Sequence, residues 1–325
     1  MAKTTDTKTT GTKTTGTKTT DTKTTGTKIT NTKTVVRKKT KKRSQAAETW
    51  ARLKTQPLAM FSLGVVVLLV LVAIFADVIC PYSLAIKQVA ADKLQPPGTP
   101  GHILGTDNFG RDILARIIHG ARTALEIGVI SAFLSVIIST FLASLCAMIG
   151  GIVDNIIMRI IDVISCIPSL VLALAICAAL GNGIPQLIVA LFFSGLPMHT
   201  KMIRSVALGV AKMDYIESSV ALGASPGYIM LRHLFPNLTS IIIINGTAQI
   251  SMNIMMGATL GFVGLGVKAP TPEWGTMLSG GLSYMMRNQY MVLVPGIVLA
   301  LAALFINTFG DCLRDALDPK LKGKA

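Results

Sequence analysis

Charge is scarce in this sequence: Asp, Glu, Lys and Arg make up 14% of the 325 residues, while 51% are apolar. That ratio argues against a water-soluble domain, because several uncharged runs approach or exceed the roughly 20 residues that cross a bilayer. Acids are especially few, 16 against 31 basic residues, for a net charge of +15. Such an excess looks like a nucleic-acid signal. Residues 1–57, however, hold fifteen of the basic residues with only Asp6, Asp21 and Glu48, so this stretch supplies +12 and no nucleic-acid partner is expected. The five cysteines make no disulfide or metal framework and read as packing residues, and the four histidines show no metal-ligand spacing. Asp107 and Asp112 lack the acid pattern of an EF-hand and read as turn and cap residues. Walker A, HExxH and GxSxG sequences are absent, and no acid pair falls on facing spans. The chain is therefore expected to be no enzyme, to bind no ATP through a P-loop and to hold no metal or cofactor of its own.

What is present is an all-α integral membrane pattern. Residues 1–45 form a Lys/Thr tail repeating every five residues from Lys3 to Lys38. With almost no apolar side chains it is expected to be disordered, a solvated tail with at most weak attraction to anionic membrane lipid. It lacks the apolar core of a signal peptide. Residues 46–121 carry the first span, Leu58–Ala76, with Arg52 and Lys54 placing its start in the cytoplasm. A Pro- and Gly-rich outer segment follows, and then Asp112 caps an amphipathic interfacial helix with Arg116 and Arg122 off its apolar face. Residues 122–311 carry five further spans, and residues 312–325 a cytoplasmic C-terminal tail.

Within that domain Ser131, Ser135, Ser139 and Ala143 put small residues on one face, where another helix is expected to pack. Val163–Leu180 reads as an outward span. Ile184 to about His199 reads as an inward span shortened by Pro197. Asn245, Gln249 and Asn253 recur every fourth residue along Leu238–Val267. Two readings stay open for these amides, lining a pathway or bonding between helices. Gly257 and Gly261 form GxxxG, which allows close helix approach.

Between the fourth and fifth spans lies a polar stretch, the loop 205–237. Asp214 with Glu217 has capping-box spacing, Gly223 suits the left-handed turn after Leu222, and Ser225 with Pro226 suits the start of a second helix. Glu217-Ser218-Ser219, Gly223 and Pro236 resemble the EAA loop of bacterial ABC importer permeases. Ser218 and Ser219 replace two alanines, and the segment ending at Pro236 contains Arg232 and His233, as in the peptide and nickel variant. LGTDNFGRD at Leu104–Asp112, with LGFVGLG and PTPEWGTML within Leu260–Leu278, is similar to the C-type subunits of peptide and nickel importers. The resemblance covers roughly residues 50–320. It implies a type I importer permease of six membrane helices in the bacterial cytoplasmic membrane, with both termini cytoplasmic. It implies that the hairpin residues Asp214, Tyr215, Glu217, Ser218, Ser219, Ala221, Leu222, Gly223, Ala224, Ser225, Pro226, Arg232, His233 and Pro236 couple to an ATPase. The implied partners are a homologous B-type permease, two ATPase subunits that carry ATP and Mg, and an external substrate-binding protein. The implied substrate is a di- or oligopeptide, or alternatively nickel or a metal chelate. The competing class, a secondary transporter, usually needs ionisable residues inside spans, and none is expected near a midplane here.

Overall fold

The computed structural model describes residues 45–317; the expected disordered repeat and the last eight residues lie outside the described residues. Helix α1 (Gln45–Thr55) leads into α2 (Pro57–Ile74), whose first-position proline suits a helix start because that N–H has no helical partner. Two short helices, α3 (Ala76–Ile79) and α4 (Tyr82–Ile86), open a folded loop, and α5 (Ile113–Ile149) follows. Then come α6 (Gly151–Ser165), α7 (Ser169–Leu180) and α8 (Ile184–Ala211). The hairpin is α9 (Asp214–Ala221) and α10 (Pro226–Ile229), joined through a π-turn at Met230–Leu234 to α11 (Phe235–Phe262). Helices α12 (Trp274–Leu282) and α13 (Tyr290–Leu317) complete the fold. Among the described residues the only extended pairings are two isolated bridges in the α4–α5 loop.

Five helical segments are long and apolar enough to cross a membrane, and a sixth is counted if the bent pair α6–α7 is one span. Their outer faces carry exposed Leu68, Phe133, Ile137, Ile297 and Leu304, the side chains a lipid solvent accepts. Inside, α5 packs most extensively on α8, and its stripe of Ser131, Ser135, Ser139 and Ala143 is fully buried. Ser139 donates to Leu196 O at 3.2 Å, so the small face does meet a helix.

Three expectations need correction. The amphipathic segment after Asp112 is no separate interfacial helix. Asp112 caps it, accepting from Ala115 N at 2.8 Å, but the helix runs unbroken into the span for 37 residues. Arg116 is buried within it, donating to Ala85 O at 3.1 Å, because the α4–α5 loop folds over the helix start. The third span is not straight either: α6 and α7 meet at 85°. Pro168, which cannot donate a backbone bond, stands at the break, while Asp162–Lys201 and Asp154–Arg204 pairs hold α6 against α8. Nor is the fourth span shortened to about His199: α8 runs through Pro197 to Ala211 and so puts His199 inside a membrane helix. Among the cysteines, Cys146, Cys177 and Cys312 are buried as packing residues, but Cys166 is exposed at the α6–α7 break.

At the end opposite the hairpin the loops knit together through side chains. Asp107 accepts from Arg111 Nε at 2.7 Å and from the backbone N–H groups of Phe109 and Arg111, with Arg116 Nε 3.6 Å away. This is turn chemistry, with a buried ion pair added. Glu273 caps α12 through Gly275 N and Thr276 N, both at 2.7 Å. Its burial pushes the carboxyl up, opposed by those two N–H groups. Gly261 turns out to serve this carboxylate, since a Cβ there would overlap it, whereas Gly257 faces Ile127 and Leu191 at helix-packing distance.

Removing the Asp107 carboxylate leaves two buried guanidinium groups facing each other. Asp107→Ala is expected to cost on the order of 3 kcal/mol, and Asp107→Asn less because its oxygen still accepts the two backbone N–H groups. Thermal unfolding of the detergent-solubilised protein checks this, and equal stability of Asp107→Ala and wild type would contradict it.

Candidate coupling hairpin and polar cavity

The hairpin begins where α8 stops, and its first helix is capped differently from its spacing. Asp214 is the first helical residue, Met213 occupies the N-cap, and no side-chain cap bond forms. The capping box is therefore absent. Its place is taken by Met213 O, which accepts from Ile216 N at 2.8 Å and Glu217 N at 3.2 Å. Glu217 stays exposed, while Ser218 and Ser219 each return a hydroxyl to the carbonyl four residues back at 2.7 Å.

The end of α9 follows the sequence pattern closely. Gly223 has φ +82°, Ala224 N donates to Ser219 O at 3.1 Å and Gly223 N to Val220 O at 2.9 Å. These two bonds make a Schellman motif, which closes a helix with a left-handed glycine. Ser225 then caps α10 by accepting from Tyr228 N at 3.3 Å, with Pro226 at its first position. Pro236 does not end the hairpin as its position implied. Helix α10 passes through the π-turn, where Phe235 N reaches back five residues to Met230 O, and continues as α11. A turn widened in this way accommodates a proline that has no N–H to give.

Ile216, Ile229 and Leu234 anchor the hairpin by full burial, Leu234 against Ala143, Ile203, Ala207 and Leu238. His233 lies between the rings of Tyr215 and Tyr228, with centroids 6.1 and 5.9 Å away. That bracing joins α9 to the segment after α10. The outer face is left apolar: Leu222 is 88% exposed, Leu231 65%, and Val220, Tyr228 and Tyr215 are exposed beside them. Arg232, Glu217, Asp214, Ala221, Ser225 and Pro226 are exposed around this face, with Ala224 half-buried.

Farther from the hairpin, amides of α11 bond across the bundle to α8 and α5. His199 Nε2 lies 2.7 Å from Gln249 Oε1, Gln249 Nε2 donates to Asn253 Oδ1 at 2.8 Å, and Asn253 Nδ2 donates to Ser131 Oγ at 2.6 Å. Three helices, α8, α11 and α5, are thus bridged by side chains. Gln249 and Asn253 also border a cavity of about 290 Å³ between the α6–α7 break, α8 and α11, with Met198, Lys201, Met252 and Met256 in its wall. Asn245 does not border it and is buried with its Nδ2 unpaired. The sequence reading missed His199 and Ser131 as members of this chain. A signal for Ser131 existed in the small-residue stripe, but His199 was hidden because the span was taken to end at about that residue. Among the described residues no group of three or more His, Cys, Asp or Glu side chains could hold a metal ion.

Residues 135–323 match the family described as binding-protein-dependent transport system inner membrane component, and residues 44–97 the N-terminal TM domain of oligopeptide transport permease C. The chain belongs to this permease family. It is 38% identical over 276 residues to the glutathione transport system permease protein GsiD of Escherichia coli O1:K1 / APEC, covering 85% of this chain and 91% of that protein. The protein of that name from Shigella flexneri serotype 5b (strain 8401) is 40% identical over the same length and shares. A structure titled as inward facing conformations of the MetNI methionine ABC transporter matches with TM-score 0.52 at 20% identity, over 63% of this chain and 98% of that one. That likeness concerns the fold, and the two sequence matches carry the family. The permease is thus a multi-pass ABC importer subunit.

Two substitutions separate backbone strain from surface chemistry at the hairpin. Nothing lies within 4 Å of a Cβ at Gly223, so Gly223→Ala is expected to cost only the left-handed penalty, on the order of 1 kcal/mol. Gly223→Asp adds a charge beside the exposed apolar face and is expected to insert normally yet lose ATPase subunits on purification. Full retention of those subunits by Gly223→Asp would count against a coupling role.

Proposed function

We propose that this permease forms one half of the translocation pathway of an ATP-driven importer for di- or oligopeptides. The observation that carries the reading is the hairpin between α8 and α11: a braced, buried-root element whose exposed tip is apolar. A water-facing apolar patch on a membrane protein is suited to a protein partner, and an ATPase subunit is the partner this reading assigns. A homologous permease supplies the other half of the pathway, and a substrate-binding protein delivers from outside. ATP and Mg belong to the ATPase subunits.

The peptide assignment draws on the matched relatives, which are named for glutathione, itself a tripeptide, and on the oligopeptide permease match at residues 44–97. It also suits the cavity, where amides can bond a peptide backbone and three methionines can adapt to varied side chains. Nickel is the second reading, and the amide and thioether wall gives it less support because Ni(II) favours imidazole and other nitrogen ligands. Orientation belongs to the same proposal, with the hairpin and both termini in the cytoplasm of a bacterial inner membrane. Lys201, Arg204, Lys212 and Arg232 near the hairpin follow the positive-inside pattern.

Uptake assays with labelled dipeptide, longer peptide and nickel test the substrate: saturable peptide uptake is expected, and uptake of nickel alone would overturn it. A cysteine placed at Asn182 is expected to react with an impermeant thiol reagent from outside, and one at Ala224 is not. The opposite labelling pattern would invert the orientation.

A further inference from the structure

The hydrogen-bond chain along the cavity wall has its direction fixed from one end. Ser131 Oγ donates to Ile127 O at 2.5 Å, a backbone carbonyl that can only accept. With its hydrogen so committed, Ser131 must accept from Asn253 Nδ2. Asn253 Oδ1 is then turned to Gln249 Nε2, and Gln249 Oε1 to His199 Nε2. Each link leaves one sense for the next, so the last requires a hydrogen on His199 Nε2. His199 Nδ1 is buried without a partner among the described residues, and His199 itself does not border the cavity. It stands behind Gln249, which does.

We infer that His199 is a positioning residue that locks the Gln249 amide with its oxygen away from the substrate, so that the cavity wall offers N–H donors to the carbonyl and carboxylate oxygens of a passing peptide. This rests on the reading of the cavity as part of the pathway. A primary amide has two N–H groups and one oxygen. In both Gln249 and Asn253 the chain uses one N–H and the oxygen, leaving one N–H uncommitted on each. Gln249 is half-buried and borders the cavity whereas Asn253 is buried, so the proposed donor is the one on Gln249. Lys201, in the same wall, is already paired with Asp162 at 2.8 Å, which leaves the amide N–H as the donor. A 180° flip of the Gln249 amide is opposed at one end by Asn253 Oδ1, which would then face an oxygen, and at the other by the His199 donor; loss of His199 removes one of these two restraints against a flip that would put the Gln249 oxygen against the substrate's own oxygens.

The test uses the whole importer in proteoliposomes at saturating binding protein, read as labelled dipeptide moved per ATP hydrolysed. His199→Met keeps the bulk but donates nothing, while His199→Gln keeps an N–H donor. His199→Met is expected to lower the ratio about tenfold, the effect of one lost buried donor, and His199→Gln to stay within about threefold of wild type. Gln249→Leu runs in parallel. A normal ratio in His199→Met beside a defective Gln249→Leu overturns the positioning role and leaves the pathway reading standing. A normal ratio in Gln249→Leu overturns that reading as well. If His199→Met fails to assemble, magic-angle-spinning NMR of the wild-type complex with ¹⁵N-labelled histidine decides: hydrogen on Nε2 supports the inference, and hydrogen on Nδ1 overturns it.

Discussion

Hydrocarbon gives a peptide group no hydrogen-bond partner, and the shape of this permease follows from where that demand is met inside helices and where it is not. Most of the chain at membrane depth is helical and satisfies itself. The irregular joints and loops are tied down by side chains that reach backbone carbonyls of neighbouring segments. Arg122 donates to Ala73 O at 3.0 Å and Ile74 O at 3.2 Å, closing the end of α2 while pairing with Asp77. Trp274 reaches Ile117 O at 3.2 Å, Asn182 reaches Gly264 O at 2.8 Å, and Tyr290 reaches Gln95 O at 2.9 Å. Each of these bonds joins segments far apart in sequence, so satisfying the backbone also fixes the packing of the loops at that end. Polar residues that look costly in an apolar protein thereby stabilise it.

The same demand explains how far the sequence could be read. Apolar run length located α2 and most of α13, because the lipid-facing part of a helix must be apolar, and it located α11 in spite of its three amides. Gly223, Ser225 and Pro226 were legible because a left-handed turn and a helix start each admit few residue types. Asp214 and Glu217 were misread for the opposite reason: capping-box spacing permits the two bonds without requiring them, and here Met213 O accepts the early N–H groups instead. Pro197 and Pro236 were overweighted as boundaries. A proline weakens one helical bond, a loss that tertiary packing or a π-turn can absorb, and α8 and α11 both carry on through such a position.

His199 shows what a one-dimensional reading loses. It was placed at a span end, and the expectation that no acid or base lies near a midplane depended on that placement. In three dimensions it is buried on α8 beside Gln249 of α11, a contact between residues fifty positions apart. Hydrogen-bonding between helices and lining a cavity also proved compatible for Gln249 and Asn253, since an amide has more hydrogen-bonding groups than one neighbour uses. The two readings of the stripe had been set against each other as if each amide served once.

The position of the hairpin gives the proposed importer a direct mechanical route. It is the only segment between α8 and α11, and its root at Leu234 is packed on Ile203 and Ala207 of α8 and Leu238 of α11. From Lys201 to the end of α8 is ten residues, about 15 Å of helix. A force applied at Leu222 or Leu231 therefore reaches the cavity through two helices that begin or end in the hairpin itself, and the His199–Gln249 bond ties those two helices together at the cavity. Because that bond spans the gap between them, a shear of α8 against α11 would stretch it, and a hydrogen bond weakens steeply with distance and angle.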